Sequence, residues 1–273
     1  MSYKRYWVAL AIVIIASFAV LGGVGRKMIS EAPPIPDVYT TDGQLLFTGS
    51  SITDGQGVWQ SIGGQEIGTV WGHGAYVAPD WSADWLHRES EILLNTWAVR
   101  AGAANFQALG PDQQAIFKAR LIREMRTNTY DAARNRVTID QDRAAAFQQL
   151  AAYYAHVFAS GRADYAIPHG ALTNATKQKQ MAAFFWWTSW AASTERPGST
   201  TTYTNNWPHE SLVATNPLPA RCCGASSALS VCLLALAAWC GGAPPRKRNS
   251  FTGLIPRKIR FLHSPQPPRS ARH

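Results

Sequence analysis

Residues 72–89 read GHGAYVAPDWSADWLHRE, a tight Gly-His-Gly turn that leads through Ala-Pro-Asp into bulky apolar side chains. Trp81 and Trp85 are four residues apart, so they share one face of a helix. Asp80 stands directly before them and is a candidate N-cap. The segment therefore predicts a glycine-rich turn that opens a long helix over about 80–101.

The rest of the pattern predicts a mostly α chain with a small β element. Apolar residues recur at helical spacing in three further segments, and Asp42-Gly43 forms a turn between two short apolar runs. Residues 51–74 are rich in Gly and Gln and favour a compact, irregular segment. The predicted elements are a hairpin over 38–49 and helices over 80–101, from 110 onward, over 142–158 and over 175–192. Pro111 is expected at the first position of the helix that opens at 110.

A long uncharged run, Tyr6–Gly25, lies between Lys4-Arg5 and Arg26-Lys27. About 20 apolar residues cross a bilayer core as a helix, whereas the apolar region of a cleaved signal peptide has about 7–15 residues and ends in a small-residue cleavage site. The length of the run and the lack of an Ala-x-Ala sequence after it favour an anchor over a signal peptide. We therefore expect residues 1–25 to be a transmembrane anchor in a lipid bilayer.

A second uncharged run, residues 224–243, is long enough to span a membrane but is diluted by Gly, Ser and Cys. If both runs span, the termini share one side, and Arg246-Lys247-Arg248 would place them in the cytoplasm. Arg26-Lys27 opposes this orientation. The expected organisation is an extracytoplasmic domain over residues 26–215 and a basic, Cys- and Pro-rich tail over 216–273.

The charge distribution argues against nucleic acid as a partner. The net charge is +9, but residues 216–273 hold nine Lys or Arg and no acid, so residues 1–215 carry 17 charges of each sign. A phosphate-binding face would show a basic stripe, which the balanced central region lacks. All four cysteines also fall in the tail, so the central region has neither a disulfide nor a Cys-x-x-Cys-His haem attachment sequence.

Potential catalytic and metal-binding residues do not form a recognised site. The sequence contains no nucleophile elbow, phosphate loop or dinucleotide fingerprint. The histidines stand singly, without partners at zinc-ligand spacing. We expect them to be satisfied polar groups: His73, His87, His156, His169 and His209.

The segment 184–190 reads FFWWTSW, and Trp186 and Trp190 lie on one face of its predicted helix. An aromatic stripe of this density is typical of a buried helix or of a membrane interface, where Trp is enriched. A quinol-binding or carbohydrate-binding surface is the alternative. The residues alone favour burial or interface packing and leave a quinol contact open.

Several unusual strings occur together in the chain. They are residues 54–64, DGQGVWQSIGG, residues 72–89, and residues 188–194, TSWAAST, with the chain that continues to Glu210. Together they resemble the N-terminal region of the quinol-dependent nitric oxide reductases, membrane enzymes of the haem-copper oxidase superfamily. The resemblance covers about residues 1–215.

This resemblance implies a cytochrome-c-like domain that has lost its haem and is fused to a catalytic subunit. The family reduces nitric oxide to nitrous oxide with electrons from quinol, and the complete enzyme contains haem b, non-haem iron and calcium. The resemblance also implies the bacterial inner membrane, with the domain on the periplasmic or extracytoplasmic side. In this family the histidines that bind the haems and the non-haem iron lie on later transmembrane helices, which this chain lacks. We therefore expect the chain alone to bind none of these cofactors and to be inactive.

The resemblance also points to Gly74 and Tyr76. In the related two-subunit reductases, backbone oxygens of the matching Gly and Tyr help to bind calcium. Carbonyl oxygens are suitable ligands for that hard cation. The remaining ligands would come from the missing transmembrane core, so the alternative for both residues is a purely structural role.

From about Thr215 the chain departs from the family pattern. Cys, Arg and Pro rise together while acids vanish, which is what translation of a shifted reading frame would produce. We therefore expect an N-terminal part of a nitric oxide reductase that is truncated or frameshifted. The alternative function is a membrane-anchored, extracytoplasmic binding or docking domain without catalytic activity.

Overall fold

A computed structural model describes residues 3–72 and 74–217 of the chain. The second apolar run over 224–243, the four cysteines and His73 lie outside the described residues, as does nearly all of the 216–273 tail. The expectations for those positions stay predictions.

The first helix, α1, covers Lys4–Ser30 and carries the apolar run. Its segment Tyr6–Ser30 reaches a mean hydropathy of 2.5, and none of that apolar stretch is buried against the rest of the chain. At 1.5 Å per residue the helix is about 40 Å long, enough to cross a bilayer core of about 30 Å. The predicted N-terminal span is confirmed as a helix that fits a membrane anchor, and it continues past Gly25 to Ser30.

Five further helices build the domain. The predicted helices are confirmed, with Asp80 as N-cap of α3 and Pro111 at the first position of α4. Asp80 Oδ1 accepts a hydrogen bond from Ala83 N at 3.0 Å. The helices are α2 Gly49–Ser61, α3 Trp81–Arg100, α4 Pro111–Arg126, α5 Gln141–Ser160 and α6 Ala175–Ser193.

Helix α2 corrects the prediction of an irregular segment over 51–74. Its N-cap, Thr48, accepts a hydrogen bond from Ser51 N at 3.3 Å. Ile52, Gly55 and Trp59 recur at helical spacing on the buried face. The glycines within the helix weaken its propensity, which is why composition alone indicated a loop.

A four-stranded sheet has the order β2-β1-β4-β3. The predicted hairpin is confirmed as antiparallel β1 and β2, joined by a turn in which Gly43 has φ +84°. The second hairpin, β3 and β4, was not predicted, and β4 pairs with β1 in parallel. The strands are β1 Asp37–Thr40, β2 Leu45–Phe47, β3 Tyr130–Asp131 and β4 Arg136–Ile139.

Helix α6 lies at the centre of the core, and α2, α3 and α5 pack around it. Thirteen consecutive residues, Met181–Ser193, are buried. A helix that is apolar on nearly all sides must be covered on all sides. Aromatic rings provide much of the cover: Trp81 stacks on Phe185 at 5.4 Å between ring centroids, and Trp59 lies 5.6 Å from Phe184.

Gly55 allows α2 to approach α6 closely. A Cβ atom at this position would lie 2.0 Å from Gln180 O and 2.9 Å from Phe184 Cβ. Neither position can be vacated by rotating a flexible side chain, so a larger residue would force the two helices apart.

We expect Gly55→Ala to destabilise the protein by about 1–3 kcal/mol, because the methyl group overpacks the helix contact. Gly57→Ala in the same helix is the matched control: a Cβ there meets nothing within 4 Å, so this change should be neutral or stabilise by up to about 1 kcal/mol. Thermal unfolding of the detergent-solubilised chain, followed by circular dichroism, measures both. Equal effects of the two substitutions would contradict the proposed close contact.

Candidate functional site

Within the unusual segment 72–89, residues 74–80 form the tip of a closed loop and residues 81–89 the first turns of α3. The loop, residues 68–80 (the motif loop), is closed at its base by hydrogen bonds from Thr69 N to Pro79 O at 3.3 Å and from Trp81 N to Thr69 O at 2.8 Å. Nearer the tip, Ala75 N donates to Ala78 O at 3.0 Å. Backbone hydrogen bonds therefore hold the loop both at its base and near its tip.

Asp80 joins the loop to the helix. While its Oδ1 caps α3, its Oδ2 accepts from Thr69 Oγ1 at 2.8 Å and from Gly72 N at 2.6 Å. Thr69 Oγ1 in turn accepts from Gly74 N at 2.9 Å. One buried carboxylate thus satisfies the helix start and two points of the loop.

Trp71 fixes the base of the loop to the core. Its backbone N donates to Ser82 Oγ at 2.9 Å, and its indole Nε1 donates to Thr188 O of α6 at 2.8 Å. Trp71 has φ +54°, a left-handed conformation that is uncommon for a bulky residue. Such strain persists where several contacts impose it, and these two hydrogen bonds do so here.

The tip of the loop is open to solvent. Tyr76 is fully exposed and Val77 is 51% exposed, while Gly74 adopts φ +85°. Among the described residues, no group donates a hydrogen bond to the carbonyl oxygen of Gly74 or of Tyr76. Neither carbonyl oxygen is therefore committed to a donor within this part of the chain, as the calcium prediction requires, and calcium binding stays a prediction.

A calcium ion at this tip would need additional ligands. Asp80, the acid of the loop, is buried and already accepts three hydrogen bonds, and within residues 3–72 and 74–217 there is no cluster of three His, Cys, Asp or Glu able to hold a metal. Carbonyl oxygens alone provide two of the six to eight ligands that calcium takes. A calcium ion bound at this tip would need its remaining ligands from outside the loop.

Asp84, in the first turn of α3, has internal partners. It accepts a hydrogen bond from Tyr154 Oη at 2.6 Å and one from Arg88 Nε at 2.9 Å. Burial, together with the Asp84 carboxylate, raises the pKa of Tyr154 well above its ordinary value. The phenol therefore stays protonated and serves as a donor inside the core.

Glu89 and His87 are also paired within the domain. Glu89 is completely buried and accepts from Trp85 Nε1 at 3.1 Å and from Arg143 Nε at 2.9 Å. His87 Nδ1 lies 2.9 Å from Glu210 Oε2. Breaking a buried pair such as Glu89 with Arg143 leaves an uncompensated charge, so these groups hold the fold together. Arg143 and Glu210 come from distant parts of the sequence, which is why no local pattern predicted these two partners.

Trp186 and Trp190 are buried inside the domain, with 0% and 1% of their surface exposed. Their rings stack at 6.4 Å, Trp186 meets Phe47 at 5.4 Å, and Trp190 meets Tyr203 at 5.4 Å. Core packing accounts for both indoles, and this geometry offers neither of them to a quinol or a membrane surface.

The family comparison gives a specific match. The family model of the cytochrome c-like domain of the nitric oxide reductase NorB matches residues 36–209. No curated protein sequence matches the chain. Because the family match covers more than half of the chain, the chain belongs to this family.

We expect Asp80→Ala to loosen the motif loop and lower the unfolding temperature. The substitution removes an N-cap, worth about 1 kcal/mol, and leaves partly buried donors unpaired, at up to about 1–3 kcal/mol each. Hydrogen exchange of the 68–80 backbone should accelerate in the same variant.

Two other substitutions show whether the effect comes from the acceptor oxygens of Asp80 or from the loss of a negative charge in general. Asp80→Asn keeps one acceptor oxygen, so its effect should be intermediate. Asp112→Ala, an exposed acid in the first turn of α4, should leave the loop unchanged. Unaltered exchange over 68–80 in Asp80→Ala would show that the carboxylate does not organise the loop.

Proposed function

We propose that this member of the NorB family is the N-terminal, membrane-anchored part of a quinol-dependent nitric oxide reductase, without catalytic activity of its own. The observation that carries the proposal is a cytochrome-c-like domain whose own residues provide no haem attachment. Residues 1–217 contain no cysteine, and the domain interior is filled by aromatic side chains such as Trp81, Trp85 and Trp186.

This interior bears on the source of the electrons. A cytochrome domain that receives electrons from a soluble carrier needs a redox group to pass them on. In this domain the buried aromatic side chains are packed against one another, and no Cys-x-x-Cys-His sequence is present. Delivery by quinol, directly from the bilayer to the catalytic core, makes such a group unnecessary. The packed interior therefore supports the quinol-dependent type.

The role proposed for the domain is to dock on the catalytic core. The motif loop offers an ordered backbone and an exposed tip at Tyr76 and Val77, which is suited to a protein contact. The Gly74 and Tyr76 carbonyl oxygens would hold a calcium ion, with further ligands from the core. Calcium would supply the positive charge that joins carbonyl oxygens and acidic groups across the contact.

The proposed location is the bacterial inner membrane, with the domain on the extracytoplasmic side. The apolar helix α1 supports attachment to a membrane. Lys4 and Arg5, which precede the apolar run that begins at Tyr6, support a cytoplasmic N-terminus, since basic residues favour that side. Arg26 and Lys27 follow the apolar run and favour the opposite orientation.

The enzymatic test is an in-frame fusion of residues 1–215 to the transmembrane catalytic region of a quinol-dependent relative. We expect membranes with the fusion to consume nitric oxide with a reduced quinol and not with reduced cytochrome c, measured with a nitric oxide electrode. The unfused chain should show no consumption.

Two results would contradict this proposal. Nitric oxide consumption by the unfused chain would show that it carries catalysis, and turnover driven by cytochrome c alone would exclude quinol dependence. A fusion that lacks residues 36–209 is the control for the domain: full activity without it would show that docking is not required.

Calcium binding should depend on the catalytic core. In calorimetric titrations we expect the unfused chain to bind calcium more weakly than about 1 mM, because two neutral carbonyl ligands are too few, and the fusion to bind more tightly. Magnesium, which prefers a rigid octahedral shell, is the control ion. Micromolar calcium affinity of the unfused chain would mean that the domain holds a complete site.

A further inference from the structure

The segment that leaves α1, Glu31–Asp37 (the stem), is rich in proline and reads as a semi-rigid spacer. In the structure its first half is bound to the domain. Glu31 Oε2 lies 3.3 Å from Arg196 Nη1, and Pro34 O accepts from Trp187 Nε1 at 2.8 Å. The stem therefore meets the domain at its first residue and again three residues later.

The second half of the stem is held from two other sides. Ile35 O accepts from Asn135 Nδ2 at 3.1 Å, and Asp37 N donates to Asn135 O at 3.0 Å. Gly49 N, at the start of α2, donates to Asp37 Oδ1 at 2.8 Å. A Cβ on Gly49 would lie 2.8 Å from Ile35 O, so α2 and the stem are in direct contact.

These contacts come from four separate parts of the fold. Arg196 follows α6, Trp187 lies within α6, Asn135 lies in the β3–β4 turn, and Gly49 begins α2. A spacer that was free to swing would not be bound at the same time by residues from four separate parts of the fold. The stem is instead a fixed part of the domain surface, directly after the end of α1 at Ser30.

Trp187 has a second contact that links the stem to the motif loop. Its ring lies 5.4 Å from the ring of Trp71 between centroids, and the neighbouring Thr188 O accepts the Trp71 indole hydrogen. The same indole thus touches the exit from α1 on one side and the base of the motif loop on the other. Trp187 is 9% exposed, so its position is fixed by packing.

We propose that Trp187 is a positioning residue that holds α1, the stem and the motif loop in one rigid unit. The face formed by Pro34, Asn135 and Arg196 then lies next to the bilayer surface, since the stem that these residues hold begins directly at the helix end. The loop tip takes a fixed position relative to the anchor. This inference goes beyond the proposed function and does not require reductase activity.

The test measures the distance between the anchor and the loop. Nitroxide labels at Ile29→Cys, 80% exposed near the end of α1, and Tyr76→Cys, at the loop tip, are introduced into the full chain. The native cysteines Cys222, Cys223, Cys232 and Cys240 are replaced by Ser, and the protein is placed in lipid nanodiscs. We expect one narrow distance distribution by pulsed electron resonance.

Trp187→Phe keeps a ring against Trp71 but removes the donor to Pro34 O. We expect it to broaden the distribution by about twofold or more, because stem motion on the nanosecond-to-microsecond scale is frozen in as static spread. Asn135→Gly, which removes the Ile35 contact and suits the φ of +47° at that turn, should also broaden it. Asn135→Gly lies at the surface and replaces Trp187→Phe as the test variant if Trp187→Phe does not fold.

Two controls test whether the broadening is specific to the contacts that hold the stem. Labels at Ile116→Cys and Tyr76→Cys lie within the domain, and their distance should not change in Trp187→Phe. Trp97→Phe removes another buried indole donor, which donates to Asp142 Oδ2 at 2.8 Å and does not contact the stem. This substitution should leave the distribution of anchor-to-loop distances narrow. The proposal would be overturned by a broad anchor-to-loop distance distribution in the unsubstituted protein. It would equally be overturned if neither Trp187→Phe nor Asn135→Gly broadened that distribution.

Discussion

The structure of this domain depends on the burial of one helix, α6, which is buried on every side between Met181 and Ser193. A helix without a polar face gains stability only when other elements cover it completely. Helix α2 covers one side through the glycine contact at Gly55, and α3 covers another through the stacking of Trp81 on Phe185. The stem and the motif loop are attached to the same helix. Most of the fold is therefore organised by the requirement to enclose α6.

Residue types with a local effect made much of the fold predictable. Asp80 marked the start of α3 because its side chain caps the helix, and Pro111 marked the start of α4 because it suits the first helical position. Helix α2 was missed for a physical reason: Gly55 lowers helix propensity, and its presence is explained only by the backbone of α6 that lies against it. The parallel pairing of β1 with β4 joins segments about a hundred residues apart and leaves no local signal.

The candidate site also combines features that the local sequence predicts with contacts between distant segments that it does not predict. The sequence identified the motif loop, because glycine and a helix cap are local features. Tyr76 was singled out only by the family resemblance, and its exposure comes from the structure. It could not identify Arg143 as the partner of Glu89 or Glu210 as the partner of His87, since these contacts join distant segments. Once the partners are known, the acids of the motif and His87 are interpreted as structural groups. What remains available for a partner is the backbone and the side chain at the loop tip.

A scaffold of this kind suits the proposed place of the domain beside a catalytic core. Its interior is filled, the acids of its motif are paired, and its attachment to α1 passes through the same helix that holds the loop. Function would then reside in the positions of surfaces, and in particular in where the motif loop stands relative to the membrane.

The most direct measurement is native-state hydrogen exchange of the whole chain across increasing denaturant. If α6 organises the domain, the amides of residues 181–193 exchange only through global unfolding and share one free energy of opening with the core of α3. The account is contradicted if α6 exchanges through a lower-energy local opening while α3 and α5 remain protected.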